Sequence, residues 1–251
     1  RVRAKQHEGA QALMLEASTG ATALRDPAAW ASMRVDYARM AMRNGNWARA
    51  EALARAVAQE WDAQVDVIDP NTMPLTRSAN SAIERVTPQF DAVVAMLSDY
   101  GGTDLLSYRA EAPEALAEAQ ARGWDPLIDW AATELGAPLR ITHGVLPVPQ
   151  DEGALLKLRA EVSALDPFGL TALHDLVTLP GSLILGLAVI RGRLDADQAH
   201  ALSRIDEEFQ AERWGRDDEA EAAARARLDA LRHSQRFWQL SRVNPAVRLI
   251  P

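Results

Sequence analysis

The residues best suited to chemistry fall in two short stretches. Gly-Gly-Thr-Asp-Leu-Leu-Ser-Tyr-Arg-Ala, residues 101–110, holds Asp104, Tyr108 and Arg109 close together, and His174 is followed directly by Asp175. A carboxylate, a phenol and a guanidinium on one turn could bind and polarise a small polar substrate, with His174 as a base in a cleft between helices. The same groups have structural uses. Arg readily forks onto a carboxylate, so Asp104 and Arg109 could instead fix a loop by a buried ion pair. Adjacent helix residues point about 100° apart, which works against a contact between His174 and Asp175. The five histidines, His7, His143, His174, His200 and His233, show no metal-ligand spacing. Neither Gly-x-x-x-x-Gly-Lys-Ser/Thr nor a Gly-x-Gly-x-x-Gly after a strand occurs, so the usual nucleotide cradles are missing. No cofactor or metal is expected.

A different chemistry, recognition by charge, is concentrated further along. Asp206, Glu207, Glu208, Glu212, Asp217, Asp218, Glu219 and Glu221 face only Arg213 and Arg216 in the same interval, a local balance of −6. Such a run commonly makes a solvated helix face. Phe209 and Trp214 lie among these acids, and an aromatic anchor ringed by charge is also a recipe for protein recognition. Both readings stand at this level, and the second names Asp206, Glu207, Glu208, Phe209, Glu212 and Trp214 as partner-binding residues.

The chain has 251 residues, 48% of them hydrophobic, enough to bury a sizeable core. Its net charge of −8 disfavours a nucleic-acid partner, which needs a basic face to release counterions. The balance is uneven: residues 1–60 carry +3 and residues 61–251 carry −11. There are no cysteines, which rules out disulfide and thiolate chemistry. The apolar run from Leu176 to Ile190 is interrupted and falls short of the ~20 residues that cross a bilayer, so it reads as a core helix. No secretory signal is evident, and a bacterial cytoplasmic monomer without membrane insertion is expected.

These groups must be positioned mainly by helices. Trp47, Ala50, Leu53, Ala54, Val57 and Trp61 recur at three- and four-residue spacing, which predicts a helix from Trp47 to Trp61. Leu75 to Val86 predicts a second. Thr87-Pro88, Asp125-Pro126 and Asp166-Pro167 each read as a helix start, a capping side chain followed by a residue with no amide donor. Asp195 and Gln198 form a capping-box pattern for a helix through Trp214, ended by Gly215, and a last helix runs over about 217–240. Leu139 to Thr142 is the strand candidate, held to a small element by Pro138, Pro147 and Pro149. Before residue 47 only weak helical periodicity is visible, at Trp30, Met33, Tyr37 and Met40.

Several motifs together carry a family resemblance. Met73-Pro74-Leu75-Thr76-Arg77-Ser78-Ala79-Asn80, Gly102-Thr103-Asp104-Leu105-Leu106-Ser107-Tyr108-Arg109-Ala110, Trp124-Asp125-Pro126 and the stretch from Leu165 to Gly215 occur in order over about residues 48–240. In these the chain resembles the assembly chaperones of the F-type ATP synthase catalytic head, found in mitochondria and alphaproteobacteria. The resemblance implies an ATP-independent chaperone, not an enzyme, that holds the free alpha subunit until beta takes its place. It also implies an essential acid in the segment matching Asp206-Glu207-Glu208, without saying which of the three. Asp104, Tyr108, Arg109, Trp124 and Asp125 then become structural motif residues. Family members usually begin with a β-rich module, and nothing in residues 1–46 resembles it. The expected organisation is an atypical segment over 1–62, a helical chaperone domain over 63–240 and a tail over 241–251, mainly α with at most a small β element.

Overall fold

The computed structural model describes residues 47–65, 67–144 and 146–242. The weak periodicity at Trp30 to Met40 and the expected loss of the β-rich module concern residues outside these. The chain divides into two compact units, one containing the described residues up to Ile83 and those from Gln239, the other Glu84–Trp238. As the sequence predicts, the described residues are mainly helical.

In the first unit, helix α1 (Trp47–Asp62) packs on α2 (Pro74–Ser81). No local side chain caps α2, whose cap position is Met73. Glu60 of α1 takes that role, accepting from Leu75 N, Thr76 N and Thr76 Oγ1, each at 2.8 Å. A carboxylate at a helix N-terminus satisfies orphan amides and complements the positive end of the dipole. One π-type turn, Ala82–Val86, follows.

The second unit is organised around one buried hairpin. Helix α6 (Pro167–Thr178) starts at Asp166, whose side chain accepts from Gly169 N at 2.8 Å, as the Asp166-Pro167 pair predicts. It packs on α7 (Leu183–Ile190), in which every residue is buried; the core helix expected over Leu176–Ile190 is thus divided by the turn at Leu179–Ser182 between the end of α6 and α7. A helix that is apolar all round can exist only as the centre of a core. α3 (Phe90–Asp99) packs on α6 and on α5 (Glu152–Ser163), while α4 (Glu114–Glu134) and α8 (Ala196–Ser203) pack on α7. The final helix, α10 (Asp218–Ser241), brings Phe237 to within 5.9 Å of the Phe168 ring, and its Trp238 Nε1 donates to Ile190 O at 3.0 Å.

Four local expectations are corrected. α3 begins at Phe90 with Gln89 in the cap position, two residues beyond Thr87-Pro88. Asp125-Pro126 starts nothing, because Pro126 lies inside α4. An internal proline costs about 3 kcal/mol. Burial of Trp124, Leu127, Ile128 and Trp130 around it outweighs that, at roughly 1.5–3 kcal/mol for each large apolar side chain. The strand lies at β2 (Thr142–His143), parallel to β1 (Tyr108–Arg109), and not over Leu139–Thr142. At Arg140 the Gln150 amide replaces a ladder, accepting from Arg140 N at 2.7 Å and donating to Arg140 O at 3.0 Å. Finally, the helix expected from Asp195 to Trp214 keeps its capping box and its stop at Gly215 (φ +97°), but breaks at Arg204 into α8 and α9 (Ile205–Trp214).

Gly186 sets the spacing of the central hairpin. A Cβ there would lie 2.6 Å from Val177 Cγ2 and 3.1 Å from Leu176 O. Val177 is stiff and fully buried, and a backbone oxygen cannot step aside. In an exposed helix Gly→Ala would gain up to about 1 kcal/mol of propensity. Gly186→Ala is expected to lose about 2 kcal/mol through overpacking, read as a lower denaturation midpoint in urea.

Candidate functional site

Asp104 is fully buried and reaches across the second unit. Its Oδ1 accepts from Leu106 N at 3.0 Å and from Ser182 Oγ at 2.7 Å, and its Oδ2 accepts from Ile184 N at 3.0 Å. Ser182 in turn accepts from Leu185 N at 3.0 Å and caps α7. Burial pushes the Asp104 carboxyl up from its ordinary 3.8 to about 6, against the opposing pull of these donors. Arg109 does not pair with Asp104. Its Nη2 stands 2.8 Å from Asp125 Oδ1, and its guanidinium lies over the Trp124 ring, 5.1 Å from the centroid. Nε and Nη1 have no hydrogen-bond partner among the described residues, so ring and carboxylate together hold this 4% exposed cation. Tyr108, half-buried, is the first residue of β1.

His174 and Asp175 do meet, contrary to the expectation from helical geometry. Nδ1 lies 2.7 Å from Oδ1 along the exposed side of α6, and the hydrogen bond raises the imidazole pKa. Asp104 is committed at α7, Arg109 at α4 and His174 within α6. These groups are separately engaged and form no shared polar site.

The acidic helix α9 is seated by contacts that are invisible in the local sequence. Gln120 of α4 donates from Nε2 to Asp206 Oδ1 at 2.6 Å and accepts from Ala110 N at 2.8 Å. Trp124 Nε1 donates to Leu202 O at 2.8 Å. Gly123 lets the helices approach, since a Cβ there would lie 2.7 Å from Ile205 Cδ1 and 3.0 Å from Leu202 Cδ2. At the break, the buried Arg204 reaches Glu208 at 2.9 Å and Glu221 at 3.8 Å, and Arg216 reaches both, each at 2.9 Å. Arg204 foremost, then Arg216, holds the Glu208 carboxyl below its ordinary range.

The six predicted partner-binding residues therefore divide. Asp206 and Glu208 are held within the molecule. Phe209 is half-buried under the Arg213 guanidinium, 4.6 Å from the ring centroid. Glu207 and Glu212 are exposed, and Trp214 is 76% exposed. Such exposure is unusual for an indole, which buries well and is favoured at interfaces. Sequence reasoning missed Gln120, Arg204 and the role of Gly123. Gln120 precedes the buried Trp124 by four residues, a spacing that puts both on one helix face and could have exposed it.

The ATP12 chaperone protein family matches residues 37–132. The crystal structure of Atp12 from Paracoccus denitrificans is 80% identical, covers 77% of this chain and 83% of that one, and superposes with a TM-score of 0.76. The chain belongs to the ATP12 chaperone family. A candidate chaperone from Agrobacterium tumefaciens is 37% identical with a TM-score of 0.73, covering 76% of this chain and 72% of that one. The mitochondrial protein atp12 of Schizosaccharomyces pombe is 26% identical over 177 residues, 66% of this chain. This ATP12-family chain spans 60% of the length of that yeast relative. Among the described residues no helix is long and apolar enough to cross a membrane, and no cluster of His, Asp or Glu could hold a metal ion.

The motif residues yield a pH prediction. Folding raises the Asp104 pKa, so the folded state holds this proton more tightly than the unfolded one. The contribution favours folding below about pH 4 and is lost as pH rises through about 6. At about 1.36 kcal/mol per unit, up to about 3 kcal/mol is involved. Asp104→Asn, which offers an amide to groups that are all donors, should destabilise by about 3 kcal/mol and flatten the fall in stability between pH 4 and 6. Urea titrations across that range check both effects.

Proposed function

We propose that this chain is an ATP-independent assembly chaperone for F-type ATP synthase, holding the free alpha subunit of the catalytic head until a beta subunit takes its place, and that it catalyses no reaction. Membership of the ATP12 chaperone family supports the assembly role. The observation that carries the binding surface is the exposure of Trp214 on the same helix as the exposed carboxylates Glu207 and Glu212, a helix seated by α4. An unassembled subunit exposes apolar interface that would otherwise aggregate. A holding surface must cover it with an affinity that the true neighbour can exceed, which makes exchange possible without a fuel nucleotide. Charges at the rim set association rate and partner choice more than they set affinity, and an acidic rim selects a basic client surface.

The essential acid that the family resemblance placed in Asp206-Glu207-Glu208 can be assigned by role. Glu207 is the contact; Asp206 and Glu208 fix where it points. The action would take place in the bacterial cytoplasm, where the head is assembled. The enzyme reading, with Asp104, Tyr108, Arg109 and His174 around one substrate, has no supporting observation, since each of Asp104, Arg109 and His174 is engaged elsewhere.

Co-expression with the cognate alpha and beta subunits tests the function directly: alpha should be recovered soluble with this chain and released when beta is added. Reversing Glu207 and Glu212 together to Lys should reduce capture at least tenfold and leave the thermal midpoint within about 2 °C, since surface substitutions rarely exceed about 0.5 kcal/mol. Full capture by that double variant would dismiss the surface.

A further inference from the structure

Helix α9 ends in a corner, at which every residue from Glu212 to Glu219 is exposed. Trp214 belongs to it, 76% exposed, and its ring meets no cation among the described residues. The other tryptophans of the second unit, Trp124, Trp130 and Trp238, are buried. The corner also carries the carboxylates of Glu212, Asp217, Asp218 and Glu219, none of which makes an ion pair among the described residues. Its cations are already engaged. Arg213 lies over Phe209, 4.6 Å from the ring centroid, and Arg216 reaches Glu208 and Glu221, both outside the corner. Glu207, seven residues before Trp214, adds an exposed carboxylate on the same stripe of α9.

Elsewhere in the second unit the same kinds of group are seen with their partner in place. Trp124 and Asp125, consecutive in α4, hold Arg109 together: its guanidinium lies 5.1 Å from the indole centroid and its Nη2 2.8 Å from the carboxylate. Trp130 carries Arg193 at 5.7 Å, and Phe209 carries Arg213. An indole face attracts a cation more strongly than a phenyl face does, and a guanidinium, planar and weakly hydrated, stacks on it better than an ammonium. The corner offers the ring and the carboxylates without the guanidinium. An apolar client side chain on Trp214 would strip water from nearby acids and give nothing in exchange. A second copy of this chain, whose net charge is −8, would bring like charges together.

We infer that Trp214 is the seat of an arginine of the client, with the guanidinium stacked on the indole face and its charge met by the carboxylates of the corner. The inference rests on the chaperone reading, in which the client is the free alpha subunit. It narrows a general preference for a basic surface to one residue type at one position. The Trp214 ring has no partner to give up, so the full attraction of an arginine is available to capture.

Amber suppression at position 214 installs mono-, di-, tri- or tetrafluorotryptophan there alone. Fluorine drains the negative potential from the ring face while leaving the ring apolar and nearly unchanged in size. Capture of the alpha subunit should weaken with each fluorine, by about tenfold for the tetrafluoro form, as for a desolvated cation–π contact. Trp214→Leu should also lose about tenfold or more, as for a central aromatic anchor. The thermal midpoint should stay constant across the series, because the side chain is exposed. In the wild-type complex an arginine of the alpha subunit should be shielded from phenylglyoxal. If wild type captures the subunit and the tetrafluoro form or Trp214→Leu captures it equally, or if no arginine is shielded, the inference is wrong and the chaperone reading survives. If wild type captures nothing, the chaperone reading falls and takes the inference with it.

Discussion

A single buried carboxylate ties the second unit together. Asp104 sits at the N-terminus of α7, the one helix among the described residues with no exposed face, and accepts from the cap hydroxyl of that helix, from an amide in its first turn and from an amide of its own loop. Apolar packing is non-directional and would let so uniform a helix turn or slide about its axis. The hydrogen bonds are directional and allow one position. With α7 fixed, α6, α4 and α8 have a reference surface, and everything that presents α9 is built on those helices.

The acidic helix shows how little of a charge run is free to act. Glu208 is taken up in a network with Arg204, Arg216 and Glu221, and Asp206 is held by Gln120. Exposed ion pairs contribute little stability, but Arg204 is buried and would be an uncompensated charge without its carboxylates. The network therefore serves to close the helix break, and it leaves Glu207 outward on the same stripe as Trp214. A chaperone surface must remain available in the absence of its client, and an acid already neutralised within the molecule could not attract one.

Much of this was legible in the sequence. The helices at 47–62, 167–178 and 218–241, the capping box at Asp195 and the stop at Gly215 follow from apolar period and cap chemistry, which act within a few residues. The family was legible too, because its motifs lie in order along the chain. The failures share one cause. Asp125-Pro126 carries a start signal, but the burial of Trp124, Leu127, Ile128 and Trp130 outweighs the lost amide and keeps α4 continuous. Arg140 meets the Gln150 amide in place of a strand neighbour, and Arg204 breaks a helix whose apolar period runs through it. Each time a long-range contact exceeded a local preference worth about 1–3 kcal/mol.

By itself, then, the sequence determined the helical class, the burial of the apolar run from Leu176 to Ile190 and the presence of an acidic, aromatic-bearing helix, since these depend on residue type and spacing along one element. Only the tertiary structure decided which acids are free, and that Arg109 serves Asp125 and Trp124 and leaves Asp104 to α7. The physical reason is distance along the chain. Gln120 and Asp206 are 86 residues apart and Asp104 and Ile184 are 80 apart, and no periodicity in a single sequence encodes which polar group will meet which once the core has closed.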